Sequence, residues 1–304
     1  MVVAGLFLAE FLSAGERPML SRVTTSPVRS SLAVSGAQVD RYVVAKRARA
    51  TPLVLVHGMT PDGKDDPRLR QAAALLARSG FDVAVPTIPG LTAARLRPDD
   101  VRPVVATIAA RPGPTVMIGV SVGAGVAMLA AAQPEVRDRV TTIVSLGGYA
   151  SALELIRFYL TGEYQFGRER GRATHDPELV RQFIEANREL LDPTAERLVT
   201  ARETVAISEA LGSLSPKLRT LLDALSPERV ARDIRARLIL VHGRGDPAVP
   251  YTESLRLAAA RPERTRVVLV GVVHHVEGEA TIGLRSARDL VALWSVVYAL
   301  VRAA

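Results

Sequence analysis

The sequence predicts an α/β protein: a doubly wound, mostly parallel sheet carrying a helical insertion. Three observations lead there. Short, β-branched, almost uniformly apolar runs recur at 53–56, 82–85, 115–118, 140–146, 238–241 and 266–270, as suits strands buried on both faces. Helical stretches at 67–78, 99–110, 122–132 and 252–260 separate most of them, and strict alternation implies right-handed crossovers. Residues 151–235, by contrast, hold no strand-like run.

Taken in order, residues 1–30 read as an apolar N-terminal segment and linker. The run at 2–12 is apolar except for Glu10. It is too short to span a bilayer, which needs roughly 20 residues, and no Lys or Arg precedes it as in a secretory signal. A helix docked on the protein or a peripheral membrane contact remains, so a cytoplasmic or membrane-associated location is expected. Residues 31–45 suit an edge hairpin, with Leu32 and Val34, then Val39, Tyr42, Val43 and Val44, flanking the turn residues Ser35 and Gly36. Residues 31–150 and 236–304 form the two halves of the core, and 151–235 a helical cap. Within the cap, Asp176-Pro177, Asp192-Pro193, Ser215-Pro216 and Ser226-Pro227 each couple a side-chain acceptor to a proline suited to a first helical position. At 284–301, Leu284, Ala287, Leu290, Val291, Trp294, Val297, Tyr298 and Val301 recur at helical spacing, which predicts a terminal helix with this stripe in the core.

Composition narrows the function. Apolar residues make up 48% of the chain and charged residues 23%, the profile of a globular protein. Cysteine is absent, which removes disulfides, thiolate metal sites and a cysteine nucleophile. The formal charge of +8 comes from dispersed arginines, with no basic run and no aromatic interleaving, so no nucleic-acid partner is expected. The cap carries 13 basic against 14 acidic residues and contributes none of the excess.

Four motifs carry chemistry. Gly119-Val120-Ser121-Val122-Gly123 follows the strand at 115–118 and opens an alanine-rich helix. A serine on such a turn is strained and exposed, and the glycines remove β-carbons that would collide there. Backbone N–H groups and the helix dipole then face the point where an oxyanion would form. His57-Gly58-Met59 follows the strand at 53–56, with His57 expected to be structural. The aspartates at 62, 65 and 66 beyond it read as turn residues rather than metal ligands. His242-Gly243-Arg244-Gly245-Asp246-Pro247 follows the strand at 238–241, where Asp246 can point back over the sheet end and His242 is expected to be structural. Val273-His274-His275-Val276-Glu277 follows the last strand and supplies a base with a pKa near neutrality. Adjacent side chains in an extended segment point apart, so only one of His274 and His275 can serve.

The order serine, acid, histidine, each just beyond a parallel strand, resembles the α/β-hydrolase superfamily from about residue 52 to the end. The resemblance implies an α/β-hydrolase fold with Ser121 as nucleophile, Asp246 as acid and His275 as base, His274 being the alternative. It also implies that the N–H groups of Met59 and Val122 form the oxyanion hole. The stretch from Asp246 to Ser254 is similar to the acid loop of dienelactone-hydrolase and prolyl-oligopeptidase relatives, although the former use cysteine where this chain has Ser121. The activity implied is that of a serine hydrolase acting on a small-molecule ester or thioester, without a cofactor. A serine peptidase, an acyltransferase and a silent binding protein on the same fold are the alternatives. Leu155, Phe158, Tyr159, Tyr164 and Phe166 would either receive the acyl chain or pack the cap.

Overall fold

The computed structural model describes residues 1–45, 50–173, 177–190, 204–271 and 286–302. Its strands are β1 (Val28–Val34), β2 (Ala37–Val43), β3 (Thr51–Val56), β4 (Phe81–Pro86), β5 (Thr115–Val120), β6 (Val140–Leu146), β7 (Glu163–Phe166), β8 (Glu169–Arg172), β9 (Arg237–Gly243) and β10 (Thr265–Val270). Eight form one sheet in the order β1-β2-β4-β3-β5-β6-β9-β10. The β1–β2 and β2–β4 pairs are antiparallel and the other five are parallel.

The double burial read from the sequence is realised by the pleat. Val54, Val56, Met117, Ile143 and Leu240 enter one apolar core, while Leu55, Ile118, Val144, Ile239 and Val241 enter the other. The helices Arg102–Ala109, Val122–Ala131 and Thr252–Ala260 supply residues to the first core. Val2–Leu12, Pro67–Arg78 and Ser286–Val301 cover the second. The sheet is thus doubly wound, as expected.

Two expectations need correction. The insertion is not purely helical, because β7 and β8 pair as a hairpin across Gly167, whose φ of 59° fits a tight two-residue turn. Its strands are four residues long and mostly polar; only the alternation of Tyr164 and Phe166 marks them. The terminal helix, Ser286–Val301, buries Leu293, Val296 and Leu300 instead of the stripe expected. Val291 is 66% exposed, Trp294 and Val297 pack against the core while only partly buried, and Leu284 lies outside the described residues. This helix is apolar nearly all round, so its sequence alone does not fix which stripe faces inward, and Val2–Leu12 packs along it.

The insertion lies between β6 and β9. Its described helices are Ala152–Thr161, Pro177–Ala186, Thr204–Gly212, Pro216–Ala224 and Pro227–Val230. Ser215 caps as expected, its Oγ accepting from Leu218 N at 3.2 Å. Ser226 does not cap its own helix: its hydroxyl donates to Leu222 O and accepts from Ala152 N at 2.9 Å, tying the start of the insertion to its end. Asp176 and the Asp192-Pro193 pair lie outside the described residues.

Candidate active site

Parallel strands deliver their carboxyl ends to one edge of the sheet, and the sequence motifs sit there. Val56 is in register with Gly119, Val120 with Leu146, Leu146 with Val241, and Val270 with Gly243. The loops after β3, β5, β6, β9 and β10 therefore emerge side by side. The ladder continues past the strand ends, with Ser121 N donating to Leu146 O at 2.8 Å, Gly147 N to Val241 O at 2.9 Å and Arg244 N to Val270 O at 2.9 Å.

Ser121 has φ 52° and ψ −132°, a backbone conformation that only glycine adopts without strain and that costs a side-chain-bearing residue about 1–3 kcal/mol. The surrounding contacts hold it there. A β-carbon on Gly119 would overlap the backbone of Ala124, and one on Gly123 would overlap the carbonyl of His57. Val122 begins the helix Val122–Ala131, whose first N–H groups have no intrahelical acceptor. The 57–59 loop lies against the serine, since a β-carbon on Gly58 would stand 3.3 Å from Ser121 Cβ. Met59, partly buried, packs against the adjoining core. The nucleophile and both oxyanion donors inferred from the sequence thus come from two touching turns.

Asp246 lies two strands from Ser121, about 10 Å across the sheet at the usual spacing. Its carboxylate is buried and accepts from the N–H groups of Ala248 at 2.9 Å and Val249 at 3.0 Å. Oδ2 points back over the sheet, lying 3.2 Å from the position a β-carbon on Gly147 would take. Gly147 directly follows Leu146, the acceptor of the Ser121 N–H. The segment that leaves β10 beside this loop carries His274 and His275, both outside the described residues, as is Glu277.

Two other histidines are fully engaged. The His57 ring accepts from Ile88 N at Nε2 (2.9 Å) and donates to its neighbour's carbonyl, Gly58 O, from Nδ1 (2.7 Å); burial lowers its pKa. His242 donates from Nε2 to Val249 O at 2.8 Å and meets Ser254 Oγ at 2.7 Å through Nδ1. Both rings brace loops, as expected. Two of the aspartates after Met59, Asp65 and Asp66, also brace loops. Asp66 accepts from Arg68 N at 2.9 Å to cap Pro67–Arg78, and from Thr60 Oγ1 at 3.0 Å. The Arg68 side chain holds its pKa at about 2. Asp65 pairs with Lys64 at 2.9 Å and with Arg29.

The insertion overlies this edge. On one side, Arg97 Nη1 donates to Asn187 Oδ1 at 2.7 Å and Asn187 Nδ2 to Ala94 O at 3.1 Å, fastening it to the loops after β4. On the other, Tyr251, just beyond the Asp246 loop, donates to Glu169 of β8 at 2.7 Å. Leu155 and Phe158 are buried and serve packing. Tyr164 contacts the rings of both Phe158 and Tyr251, and Arg256 lies over Phe166. Tyr159 packs against the core, partly buried; burial raises its pKa and the charge of Asp246 raises it further, which keeps it a neutral phenol. Sequence reasoning missed Gly147 and Glu253. The latter is buried on Thr252–Ala260 and accepts the N–H groups of Ala150 and Ser151 at the root of the insertion.

A mostly parallel eight-stranded sheet, helices on both faces and a serine on a strained strand-to-helix turn define an α/β hydrolase. The chain belongs to the alpha/beta hydrolase family, which it matches over residues 53–282. No curated protein is significantly similar to it in sequence. Among solved structures, uncomplexed acylaminoacyl peptidase from Pyrococcus horikoshii is similar with a TM-score of 0.59 and 15% identity, over 93% of this chain and 42% of that one. Est1E from Butyrivibrio proteoclasticus is similar with a TM-score of 0.53 and 13% identity, over 90% of this chain and 98% of that one. A serine-to-alanine mutant of the meta-cleavage product hydrolase CumD from Pseudomonas fluorescens IP01 is similar at 0.50 and 18%, over 90% and 96%. The chain spans about two fifths of the length of the acylaminoacyl peptidases. At these identities the likeness is one of fold.

Proposed function

We propose that the protein is a serine hydrolase that cleaves a carboxylic ester or thioester through an acyl-enzyme. The observation that carries this reading is the left-handed backbone of Ser121, strain that recurs at functional sites and that the glycines at 119 and 123 enforce. Ser121 Oγ attacks the acyl carbonyl while His275 takes its proton. His274 is the alternative base. Asp246 fixes the imidazole tautomer and stabilises the imidazolium. The N–H groups of Met59 and Val122 stabilise the tetrahedral oxyanion. Collapse expels the alcohol or thiol, protonated by the same histidine, and water then releases the acid by the reverse sequence. The engagement of both ring nitrogens in His57 and His242 favours a base from the 274–275 pair. The insertion acts as a cap that selects the substrate.

Labelling by an activated fluorophosphonate, lost in Ser121→Ala, tests the nucleophile, and a panel of short-chain p-nitrophenyl esters and peptide amides tests the substrate. Labelling with ester turnover is the expected result. Peptide turnover alone would make it a peptidase, and no labelling of the folded protein would leave a binding role. His275→Ala is expected to abolish turnover; its loss in His274→Ala instead would move the base by one residue.

A further inference from the structure

Six of the seven large apolar side chains that stand exposed among the described residues lie on or beside three helices. They are Met1, Val2 and Phe11 on or beside the helix Val2–Leu12, Met19 and Val23 on Met19–Val23, and Val291 on Ser286–Val301; the seventh, Val28, opens the edge strand β1 and is not part of this group. The first helix packs against both of the others. Exposure is substantial, 75% at Val2, 67% at Val23 and 66% at Val291.

The charges around these residues are sorted by sign. Glu10, the one charged residue of the first helix, is turned inward, where its carboxylate accepts from Ser21 N at 2.9 Å. The outward side of that helix is left uncharged. Asp289 accepts from Gly271 N at 2.7 Å. Arg17, Arg22, Arg288 and Arg302 are exposed and form no ion pair among the described residues, with Glu16 the exposed acid among them. Trp294 and Tyr298 are half-buried, their rings stacked at 5.0 Å, with Arg302 over Tyr298.

We infer that this surface docks on an anionic lipid bilayer, lying in its interfacial plane. Exposed aliphatic side chains, a Trp–Tyr pair and unpaired arginines are the combination that an acyl-chain boundary beneath anionic headgroups accommodates. A protein surface would have to supply its own carboxylates to match the four arginines. No helix among the described residues is long and apolar enough to cross a membrane. The first helix has 11 residues, about 16 Å at 1.5 Å per residue.

Trp294 is the only tryptophan in the chain and reports on the face directly. The full-length protein is titrated with vesicles of phosphatidylcholine alone and of phosphatidylcholine with phosphatidylglycerol, following Trp294 emission and co-sedimentation. Binding to the anionic vesicles with a blue shift, weakened about tenfold or more by raising salt and by the double variant Val2→Glu, Val23→Glu, is expected. A circular-dichroism melt of that variant guards against misfolding. Absence of binding to anionic vesicles, or equal binding by the folded variant, overturns the inference. A concentration-dependent dimer that Val291→Glu dissociates, without vesicle binding, would assign the face to a second copy and overturn it too. None of these readouts depends on the catalytic reading of Ser121.

Discussion

Gly123 and His57 meet backbone to backbone: a β-carbon on the glycine would overlap the histidine's carbonyl oxygen. This contact locks the serine turn to the loop that carries Met59, so both halves of the proposed oxyanion hole depend on it. Gly123→Ala is therefore expected to cost about 1–3 kcal/mol, as overpacking does. Fluorophosphonate labelling should slow at least tenfold. A thermal melt alongside the labelling rate checks both, and an unshifted rate would show that the turn tolerates displacement.

The backbone of Ser121 is strained for any side chain, so the residue's chemistry and its stability pull in opposite directions. Ser121→Gly is expected to abolish labelling and raise stability by about 1 kcal/mol. Ser121→Ala, which keeps the β-carbon and the strain, should abolish labelling with little change in the melt. Chemical denaturation of the three proteins measures the difference.

Much of this was legible in the sequence because burial on both faces writes itself as unbroken apolar runs. The eight-stranded sheet follows from those runs and from the edge hairpin, and the serine turn from two glycines whose spacing has a steric cause. What was hidden depends on long-range packing. The β7–β8 strands are polar and four residues long, leaving only two aromatics as a signal. The stripe buried on Ser286–Val301 is set by what packs against an all-round apolar helix, which its own periodicity does not record. Glu253 reads as an ordinary surface position in an amphipathic helix. Its partners lie about a hundred residues earlier in the chain.

Glu253 is buried at the root of the insertion, and desolvation raises its pKa against the two N–H groups and Arg256 that favour its charge. A carboxyl raised in the folded state contributes stability that is full below the unfolded value and is lost as pH rises through the folded one. Glu253→Gln keeps an acceptor for Ala150 and Ser151 without the charge. Its stability should therefore fall less than the parent's between pH 4.5 and neutrality. Glu253→Ala strands both N–H groups and should cost about 2–3 kcal/mol. Urea melts at pH 4.5 and pH 7 distinguish the two; a Gln variant as pH-dependent as the parent would place the titration elsewhere.

Asp66 joins a helix cap to the loop bearing Met59, through Arg68 N and Thr60 Oγ1. Its pKa is depressed to about 2 from 3.8, so its stabilising contribution is full above the unfolded value and is lost as pH falls through about 2. Asp66→Ala should cost about 1 kcal/mol at pH 7, the usual worth of such a cap. That difference should shrink on acidification towards pH 2. Asp66→Asn, which can still accept from Arg68 N, should retain most of the cap but weaken the pairing with the Arg68 side chain. Because Thr60 is adjacent to Met59, the Ala variant should also lower kcat more than it raises KM, as expected when a donor that binds the transition state loses its position. Paired melts and ester kinetics at pH 7 test both, and an Ala variant with normal kcat would confine Asp66 to capping its helix.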